Sequence, residues 1–455
     1  MISWLAVRGR YVKNLPRVVS LKQTVERTAS SATLKVVSAL AGGNLLATVI
    51  AIIGSLVQAR FVSPSDLGYL RSFSIITGYT VFLNLGLFES LHRLYPYYIG
   101  KGQRSLALTH AEIGQAWNVA MSLVLSGIFV AFAISSMILG NWHAMLAWLV
   151  QAVAIAVIFY GGYLNATFRS GHDFKTIAKG SVISGAASFL TLPLFIAWPY
   201  VALILRSSLG SLVNLIYLHI RRPLHLQWRF NWKEWYALVR QGLPIFIASY
   251  GATSLWSALE ATVVLRYLGT LALGLWTMSF MLFQAAKMLP DAINAVYFPR
   301  INETFGRSES IAELWQLTRG PMLLGLFGML LIVILSWMCL PIVIPILMPK
   351  YVASIPAMDI MLLILPITAL ELPYAFLVAQ GRIVQQNFIV YGSMGCFLLL
   401  ALAATHLGLG LRGVVSASVM GQFVEVLLIH GYLYLTRKPR QKCQRDQTSD
   451  PSTPA

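Results

Sequence analysis

The chain has 455 residues, of which 57% are hydrophobic and only 11% are charged. Soluble proteins carry about 25% charged residues, so this composition excludes a water-exposed globular exterior. The 34 Lys and Arg residues outnumber the 16 Asp and Glu residues and leave a net charge of +18. In a chain with a mean hydropathy of +0.70, that excess indicates anionic membrane lipids as partners, and no nucleic acid.

Twelve apolar segments are long enough to cross a bilayer as helices, which takes roughly 20 residues each. The six in the first half are residues 36–58, 67–91, 112–139, 142–164, 176–197 and 199–219. The six in the second half are residues 242–265, 270–298, 320–348, 355–379, 385–407 and 411–435. The sequence therefore predicts an all-α polytopic membrane protein with about twelve transmembrane helices.

The longest break between the apolar segments divides them six and six. It is basic and rich in Trp, which suits a linker at the level of the lipid headgroups. We therefore predict an N-lobe at residues 34–219, a linker at residues 220–241 and a C-lobe at residues 242–435. Residues 1–33 form a basic N-terminal segment, for which an organelle presequence is the alternative. The polar residues 436–455 are expected to be a disordered tail.

Basic residues are distributed unequally between the two sides of the predicted helices. Most of the 34 Lys and Arg residues lie in the N-terminal segment, the tail and the loops after even-numbered helices. The other side holds only Arg60, Arg71, Arg266, Lys350 and Arg412. By the positive-inside rule, both termini should face the cytoplasm of a bacterial cell, with the helices in its inner membrane.

The two halves share local sequence elements. Each has an Arg near the end of its first helix, a Gly eight residues later, and an aromatic-Pro pair that we expect to end its second helix. These elements are Arg60, Gly68 and Tyr95-Pro96 in the first half, and Arg266, Gly274 and Phe298-Pro299 in the second. Two six-helix lobes of equal topology imply a pseudo-twofold axis along the membrane normal, an arrangement found in secondary transporters.

Residues 59–102 contain Arg and Pro before a Leu-Gly turn, an Asn-Leu-Gly-Leu run at residues 84–87, and an Arg and a Pro near the end of the second helix. Residues 266–299 repeat this pattern, and the last helix opens with Gly-Leu-Arg-Gly-Val at residues 410–414. In these elements the chain resembles the bacterial polysaccharide flippases of the multidrug/oligosaccharidyl-lipid/polysaccharide exporter superfamily.

That resemblance implies a V-shaped transporter that works by alternating access. Its substrate would be an undecaprenyl-pyrophosphate-linked oligosaccharide, carried from the cytoplasmic to the periplasmic leaflet for O-antigen, capsule or exopolysaccharide assembly. A polysaccharide polymerase or a chain-length regulator is an expected protein partner.

Ionisable residues inside a bilayer cost roughly 2.5 to 3.5 kcal/mol each, so those present are candidates for function. The candidates for the substrate pathway are Arg71, Glu260, Lys287, Asp291 and Glu371. The candidates for a cytoplasmic gate are Glu89, His92 and Arg93.

Arg71 and Lys287 would attract a diphosphate, and a carboxylate would titrate to couple transport to a proton or sodium gradient. The alternative is structural. Lys287 and Asp291 are four residues apart on one helical face and could neutralise each other. Glu371 lies between Pro366 and Pro373, which should bend its helix and loosen the helical hydrogen bonds.

Enzyme chemistry finds little support in the sequence. The three cysteines lie far apart and the common catalytic and metal-binding motifs do not occur, so we expect no metal site and no cofactor beyond the coupling ion. A polysaccharide polymerase or glycosyltransferase stays an alternative, although its chemistry usually needs a long extramembrane loop. A cation-coupled exporter of drugs or metabolites is the other alternative. An acidic cavity would favour the exporter, and a cationic cavity would favour the flippase.

Overall fold

The computed structural model describes residues 50–171, 173–224, 228–308 and 310–436, and these are mostly helical. The helices of the first half are α1 (Ile50–Phe61), α2 (Pro64–Thr80), α3 (Leu87–Gly100), α4 (Arg104–Ile138), α5 (Trp142–Ala156), α6 (Gly162–Ser170), α7 (Phe174–Phe189), α8 (Leu194–Ala197) and α9 (Pro199–Ile220). A 3₁₀ turn at Val81–Asn84 precedes α3, and a π-helical turn at Val157–Gly161 joins α5 to α6.

The second half continues with a similar run of helices. They are α10 (Trp232–Tyr250), α11 (Trp256–Ser308), α12 (Ile311–Leu347), α13 (Ile355–Leu362), α14 (Ile364–Ala369), α15 (Tyr374–Ala379), α16 (Ile383–His406) and α17 (Gly410–Leu435). A π-helical turn at Gly251–Leu255 joins α10 to α11, and a 3₁₀ turn at Pro349–Ser354 precedes α13. The basic N-terminal segment and residues 437–455 of the tail lie outside the described residues.

Within the described ranges, ten helical stretches are long and apolar enough to cross a membrane. One of them, Trp232–Ser308, holds two of the predicted segments, because Gly269 breaks α11 with φ 82° and ψ −177°. Only glycine adopts such a conformation without steric cost. The first predicted segment is described from Ile50 onward as the shorter apolar helix α1. These stretches together account for the twelve predicted segments and confirm the all-α membrane fold.

Several helices begin where the sequence places a short polar side chain ahead of an apolar segment. Asn141 Oδ1 accepts a hydrogen bond from the backbone N of Ala144 at 3.0 Å, and Asp173 Oδ1 accepts one from Thr176 at 3.2 Å. Each side chain satisfies a backbone donor that the first helical turn leaves free. The boundaries of these membrane helices are therefore encoded locally.

Several helix boundaries differ from the sequence prediction, and one is that α11 continues through Pro299 to Ser308 instead of ending at Phe298-Pro299. Helix α10 begins at Trp232, inside the predicted linker, because Asn231 accepts a hydrogen bond from the backbone N of Lys233 at 2.9 Å and caps it. Helix α3 continues through Pro96 to Gly100 instead of ending at Tyr95-Pro96. The proline removes one backbone donor, and the carbonyl left without it belongs to the exposed His92, where lipid headgroups or water can satisfy it.

The N-lobe and the C-lobe meet where α2 packs against α11. A Cβ atom on Gly68 would collide with the backbone oxygen of Thr270, and one on Gly274 would collide with that of Pro64. The equivalent glycines of the two repeats thus allow the two helices to approach closely, as small residues do in membrane interfaces.

Two further contacts join the lobes beside these glycines. Arg60 Nη1 donates to the backbone oxygen of Ile346 at 3.1 Å, and Lys350 Nζ donates to that of Phe61 at 2.5 Å. We name this side of the molecule, defined by Arg60, Phe61, Ile346 and Lys350, the closed end. The opposite side, where α3, α9 and α15 end, is named the basic end.

Candidate functional site

A cavity of about 950 Å³ lies in the C-lobe and reaches the basic end. Helices α10 and α11 form one wall, and α13 to α17 form the others. Among the residues that line it, Arg93 of α3 is the one contributed by the N-lobe. Since ligand pockets usually measure about 300–1,000 Å³, this cavity has room for a ligand of several rings.

The cavity has a mouth and a deep part. Arg93 and Phe298 line the mouth; both are exposed, and Phe298 lies 29 residues after the break at Gly269, toward the basic end. Glu260 lies nine residues before the break at Gly269, and Lys287 lies eighteen residues after it. At 1.5 Å per helical residue, Glu260 is therefore about 13 Å closer than Lys287 to the closed end.

Five charged side chains line the cavity: Arg93, Glu260, Lys287, Glu371 and Glu425. Three of the five substrate-pathway candidates are among them, whereas Arg71 and Asp291 are not. Of the gate candidates, Arg93 lines the mouth, whereas Glu89 and His92 do not. With two cations against three carboxylates, the lining is not the cationic surface that the sequence analysis associated with a flippase.

Lys287 faces the cavity from α11 and is half-buried. It interacts electrostatically with Glu371, which follows α14, and with Glu425 of α17. Asp291, four residues further along α11, is exposed and lies outside the lining. Lys287 thus shares the cavity with carboxyl groups of two other transmembrane segments.

Glu371 lies at a break in its transmembrane segment. Helix α14 ends at Ala369 and α15 begins at Tyr374, whose backbone N donates to the backbone oxygen of Glu371 at 2.8 Å. The break falls between Pro366 and Pro373, as the sequence predicted. The irregular backbone is tolerated at membrane depth because it borders the cavity and not the lipid.

Glu260 is 3% exposed and is held at both carboxylate oxygens. Trp276 Nε1 donates to Oε1 at 2.8 Å, and Ser418 Oγ donates to Oε2 at 3.1 Å. Trp256 Nε1 in turn donates to Ser418 Oγ at 3.1 Å. A buried charged or polar group needs such partners, so this network fixes the carboxyl group at the deep end of the cavity.

Arg71 contacts the same network from outside the cavity. Its Cζ lies 5.6 Å from the centroid of the Trp276 ring, in the range of a cation–π interaction. Its Nε is buried and has no hydrogen-bond partner in the described structure. Trp276 therefore contacts Arg71 of the N-lobe through its ring and Glu260 of the C-lobe through its N–H group.

The gate candidates lie in the first half of α3, and Glu89 is in its first turn. Asn84 Nδ2 donates to Glu89 Oε2 at 3.5 Å, a long hydrogen bond that links Glu89 to the 3₁₀ turn before the helix. His92 is exposed. Only Arg93 therefore has its side chain where a molecule entering the cavity would meet it.

Four amide side chains line the cavity, and the sequence did not single them out. Gln386 forms a hydrogen bond with Tyr374, and the other three are Gln284, Asn294 and Gln422. Within the part of the chain that the structure describes, none of the amide groups of these three has a hydrogen-bond partner, so their donors and acceptors face the cavity. Gln284, Lys287 and Asn294 are spaced by three and seven residues, which places them on one face of α11. That spacing is the signal that could have found the two amides on α11.

Hydroxyl groups cover the wall formed around the π-helical turn Gly251–Leu255. Thr253 Oγ1 donates to the backbone oxygen of Ser249 at 2.6 Å, and Ser257 Oγ donates to that of Ser254 at 3.1 Å. Both oxygens keep lone pairs that can accept hydrogen bonds from a ligand. No group of three or more His, Cys, Asp or Glu side chains suited to a metal ion occurs among the described residues.

The sequence matches a family model described as "Polysaccharide biosynthesis protein" over residues 33–305. Among curated proteins, no sequence matches the chain significantly.

Solved structures share the fold. A multidrug resistance MATE family transporter of the MOP superfamily has a TM-score of 0.70 in its inward-facing conformation, at 14% identity over 85% of this chain and 94% of that one. An outward-facing conformation of such a transporter has a TM-score of 0.62 at 14% identity, over 88% and 95%. The lipid II flippase MurJ, in an inward closed conformation, has a TM-score of 0.62 at 14% identity, over 87% of each chain. These likenesses confirm the two-lobe, twelve-helix fold.

Proposed function

The chain belongs to the polysaccharide biosynthesis protein family, and we propose that it flips an undecaprenyl-pyrophosphate-linked oligosaccharide across the bacterial inner membrane by alternating access. The observation that carries the proposal is the 950 Å³ cavity, which has a cation at its mouth and hydrogen-bonding side chains in its depth. Such a cavity suits a ligand with one anionic part and one polyhydroxylated part. The product would serve O-antigen, capsule or exopolysaccharide assembly, with a polymerase or chain-length regulator as the partner.

The conformation supports loading from the basic end. At the closed end, the side chains of Arg60 and Lys350 each donate a hydrogen bond to a backbone oxygen of the other lobe. The cavity, by contrast, reaches the basic end. The fold also superposes better on an inward-facing transporter than on an outward-facing one. If the basic end faces the cytoplasm, as the positive-inside rule predicts, this conformation takes up substrate from the cytoplasmic leaflet.

Arg93 is suited to receive the diphosphate. Its guanidinium is exposed at the mouth, where it can form paired hydrogen bonds with phosphate oxygens before the sugars enter. Lys287 attracts the same group from deeper in the cavity, where it interacts electrostatically with Glu371 and Glu425. The polyprenyl chain would stay among the lipids.

The carboxylates provide candidates for coupling to a proton or sodium gradient. Three carboxyl groups line the cavity on separate transmembrane segments: Glu260, Glu371 and Glu425. Binding or release of a cation there would change the electrostatic interaction between these segments, which move relative to each other in alternating access. Glu260 also contacts the N-lobe residue Arg71 through Trp276, which connects it to the lobe interface.

The three carboxylates also favour a second function, a cation-coupled exporter of cationic drugs or metabolites. This alternative predicts that deletion of the gene raises sensitivity to organic cations. Unchanged sensitivity, together with a defect in surface polysaccharide, would reject it.

The proposal is tested by following lipid-linked oligosaccharide in a deletion strain that has no redundant transporter. A flippase defect leaves the oligosaccharide in the cytoplasmic leaflet, where an impermeant glycosidase acts only after permeabilisation of the inner membrane. A polymerase defect would instead leave single repeat units exposed in the periplasmic leaflet. Normal periplasmic delivery of polymerised glycan would refute both the flippase function and the polymerase function.

A further inference from the structure

We propose that the deep part of the C-lobe cavity holds one pyranose ring of the glycan, with the aromatic ring of Phe280 as its platform. We name this place, defined by Trp256, Phe280, Gln284 and Gln422, the deep subsite. The inference rests on the proposed flippase function, because it assigns one part of the same substrate to one part of the same cavity.

Phe280 presents its ring to the cavity from α11, while Trp276 lies behind it. The two rings are stacked, with centroids 5.0 Å apart and an angle of 14° between their planes. Trp276 is fully buried and lies outside the lining, whereas Phe280 is half-buried and belongs to the lining. The part of the Phe280 ring that Trp276 leaves uncovered therefore borders the cavity. It offers a flat apolar surface on which the C–H face of a sugar can pack.

The ring behind Phe280 is itself held in place. Trp276 Nε1 donates to Glu260 Oε1 at 2.8 Å, and the centroid of the Trp276 ring lies 5.6 Å from Cζ of Arg71. On the same helix, the centroid of the Phe283 ring lies 6.2 Å from that of Phe280. A platform held in this way loses little conformational freedom when a ligand packs on it, which lowers the cost of binding.

A second aromatic ring of the lining is backed in the same manner. Trp256 stacks on the fully buried Phe397 of α16, with centroids 5.4 Å apart and an angle of 26° between the planes. Its Nε1 donates to Ser418 Oγ at 3.1 Å. Trp256 lies 13 residues before the break at Gly269, and Phe280 lies 11 residues after it. At 1.5 Å per helical residue, the two rings are therefore at similar depth.

Amide groups lie beside these rings. Gln284 follows Phe280 by four residues on the same face of α11, and Gln422 follows Ser418 by four residues on α17. Neither amide has a hydrogen-bond partner in the described part of the chain. A pyranose has C–H groups on its faces and hydroxyl groups around its rim, so a ring packed on Phe280 directs its hydroxyls sideways. There the amides can both donate and accept hydrogen bonds.

The deep subsite lies far from the mouth of the cavity. Phe280 is 18 residues before Phe298, which corresponds to about 27 Å along α11. With the diphosphate at Arg93, as proposed above, the first sugar stays near the mouth. Only a sugar several units further along the glycan reaches Phe280. The subsite should therefore contribute to the transport of long glycans and not of short ones.

The test compares an undecaprenyl-diphosphate-linked monosaccharide with a pentasaccharide that begins with the same sugar. Purified full-length protein in proteoliposomes is supplied with each, and transfer between leaflets is followed with an impermeant glycosidase. Phe280→Leu keeps an apolar side chain but removes the aromatic face. It should slow transfer of the pentasaccharide at least fivefold and change transfer of the monosaccharide less than twofold. Phe280→Tyr keeps the ring and should transfer the pentasaccharide within twofold of the wild type.

The matched control is Phe388→Leu, which removes a ring that is 77% exposed on α16 outside the cavity and should leave both rates unchanged. Equal slowing of both glycans by Phe280→Leu would mean that Phe280 only supports the fold, and it would overturn the inference. Unchanged transfer of the pentasaccharide, or an equal loss in Phe280→Tyr, would overturn it as well. Transfer of neither glycan by the wild-type protein would overturn the flippase function itself.

Discussion

Trp276 contacts one charged residue of each lobe. Its ring centroid lies 5.6 Å from Cζ of Arg71, and its indole N–H donates to Glu260 Oε1 at 2.8 Å. Arg71 and Glu260 are both substrate-pathway candidates from the sequence, but only Glu260 borders the cavity. Arg71 therefore contacts the cavity lining indirectly, through the ring of Trp276 at the lobe interface.

The hydrogen bond from Trp276 can be tested with Trp276→Phe. The substitution keeps an aromatic ring for Arg71 but leaves Glu260 Oε1 without its donor, which should cost about 1–3 kcal/mol. Thermal unfolding in detergent should show a lower Tm. In a Glu260→Gln background the loss should be smaller, because the charged acceptor is already gone. Equal losses in both backgrounds would mean that ring packing, not the hydrogen bond, is responsible.

Lys287 is predicted to be required for transport. Among the described residues that line the deep part of the cavity, Lys287 is the one cation, and Lys287→Ala removes it from Glu371 and Glu425, with which it interacts electrostatically. Complementation of a flippase-null strain should fall at least tenfold at normal protein abundance. Lys179→Ala, which removes an exposed cation on α7, is the control and should complement fully. Full activity of Lys287→Ala would remove Lys287 from the mechanism.

At the scale of elements, the cavity is lined by helices that are interrupted. The transmembrane segment containing Glu371 is broken at residues 370–373, and the π-helical turn Gly251–Leu255 interrupts the wall that carries Ser249 and Thr253. Such interruptions are common at functional sites because they turn side chains and backbone groups toward a cavity. The glycines of α2 and α11 act differently, since they set how closely the two lobes approach.

The close approach of α2 and α11 predicts a strong effect of Gly68→Ala. The added Cβ would collide with the backbone oxygen of Thr270, so the closed end must separate. Overpacking of this kind costs about 1–3 kcal/mol, and both the Tm and transport should fall. Gly127→Ala is the matched control, because Gly127 lies inside α4 with no neighbouring atom within 4 Å of an added Cβ. A similar loss in both variants would contradict the role of the lobe interface, because helix propensity by itself favours Ala over Gly at both positions.

At the scale of the whole molecule, the uneven distribution of basic residues predicts how the two ends face the membrane. In a cysteine-free background, Lys350→Cys at the closed end should react with an impermeant maleimide in intact cells. Arg169→Cys, exposed at the basic end, should react only after the inner membrane is permeabilised. Labelling of Arg169→Cys in intact cells would reverse the proposed orientation and the direction of loading.

The sequence by itself determined the twelve helices and the family, because hydrophobic length and local caps such as Asn141 and Asp173 depend only on neighbours along the chain. It also identified Lys287, Glu260 and Glu371, since any ionisable group in an apolar segment stands out. Only the tertiary structure decided which charges share a cavity. Lys287 lines the cavity together with Glu371 and Glu425 of other segments, whereas Asp291 on its own helix lies outside the lining, because the packing of separate helices determines which side chains meet. For the same reason Arg71 lies against Trp276 outside the cavity, while Arg93 lies at its mouth.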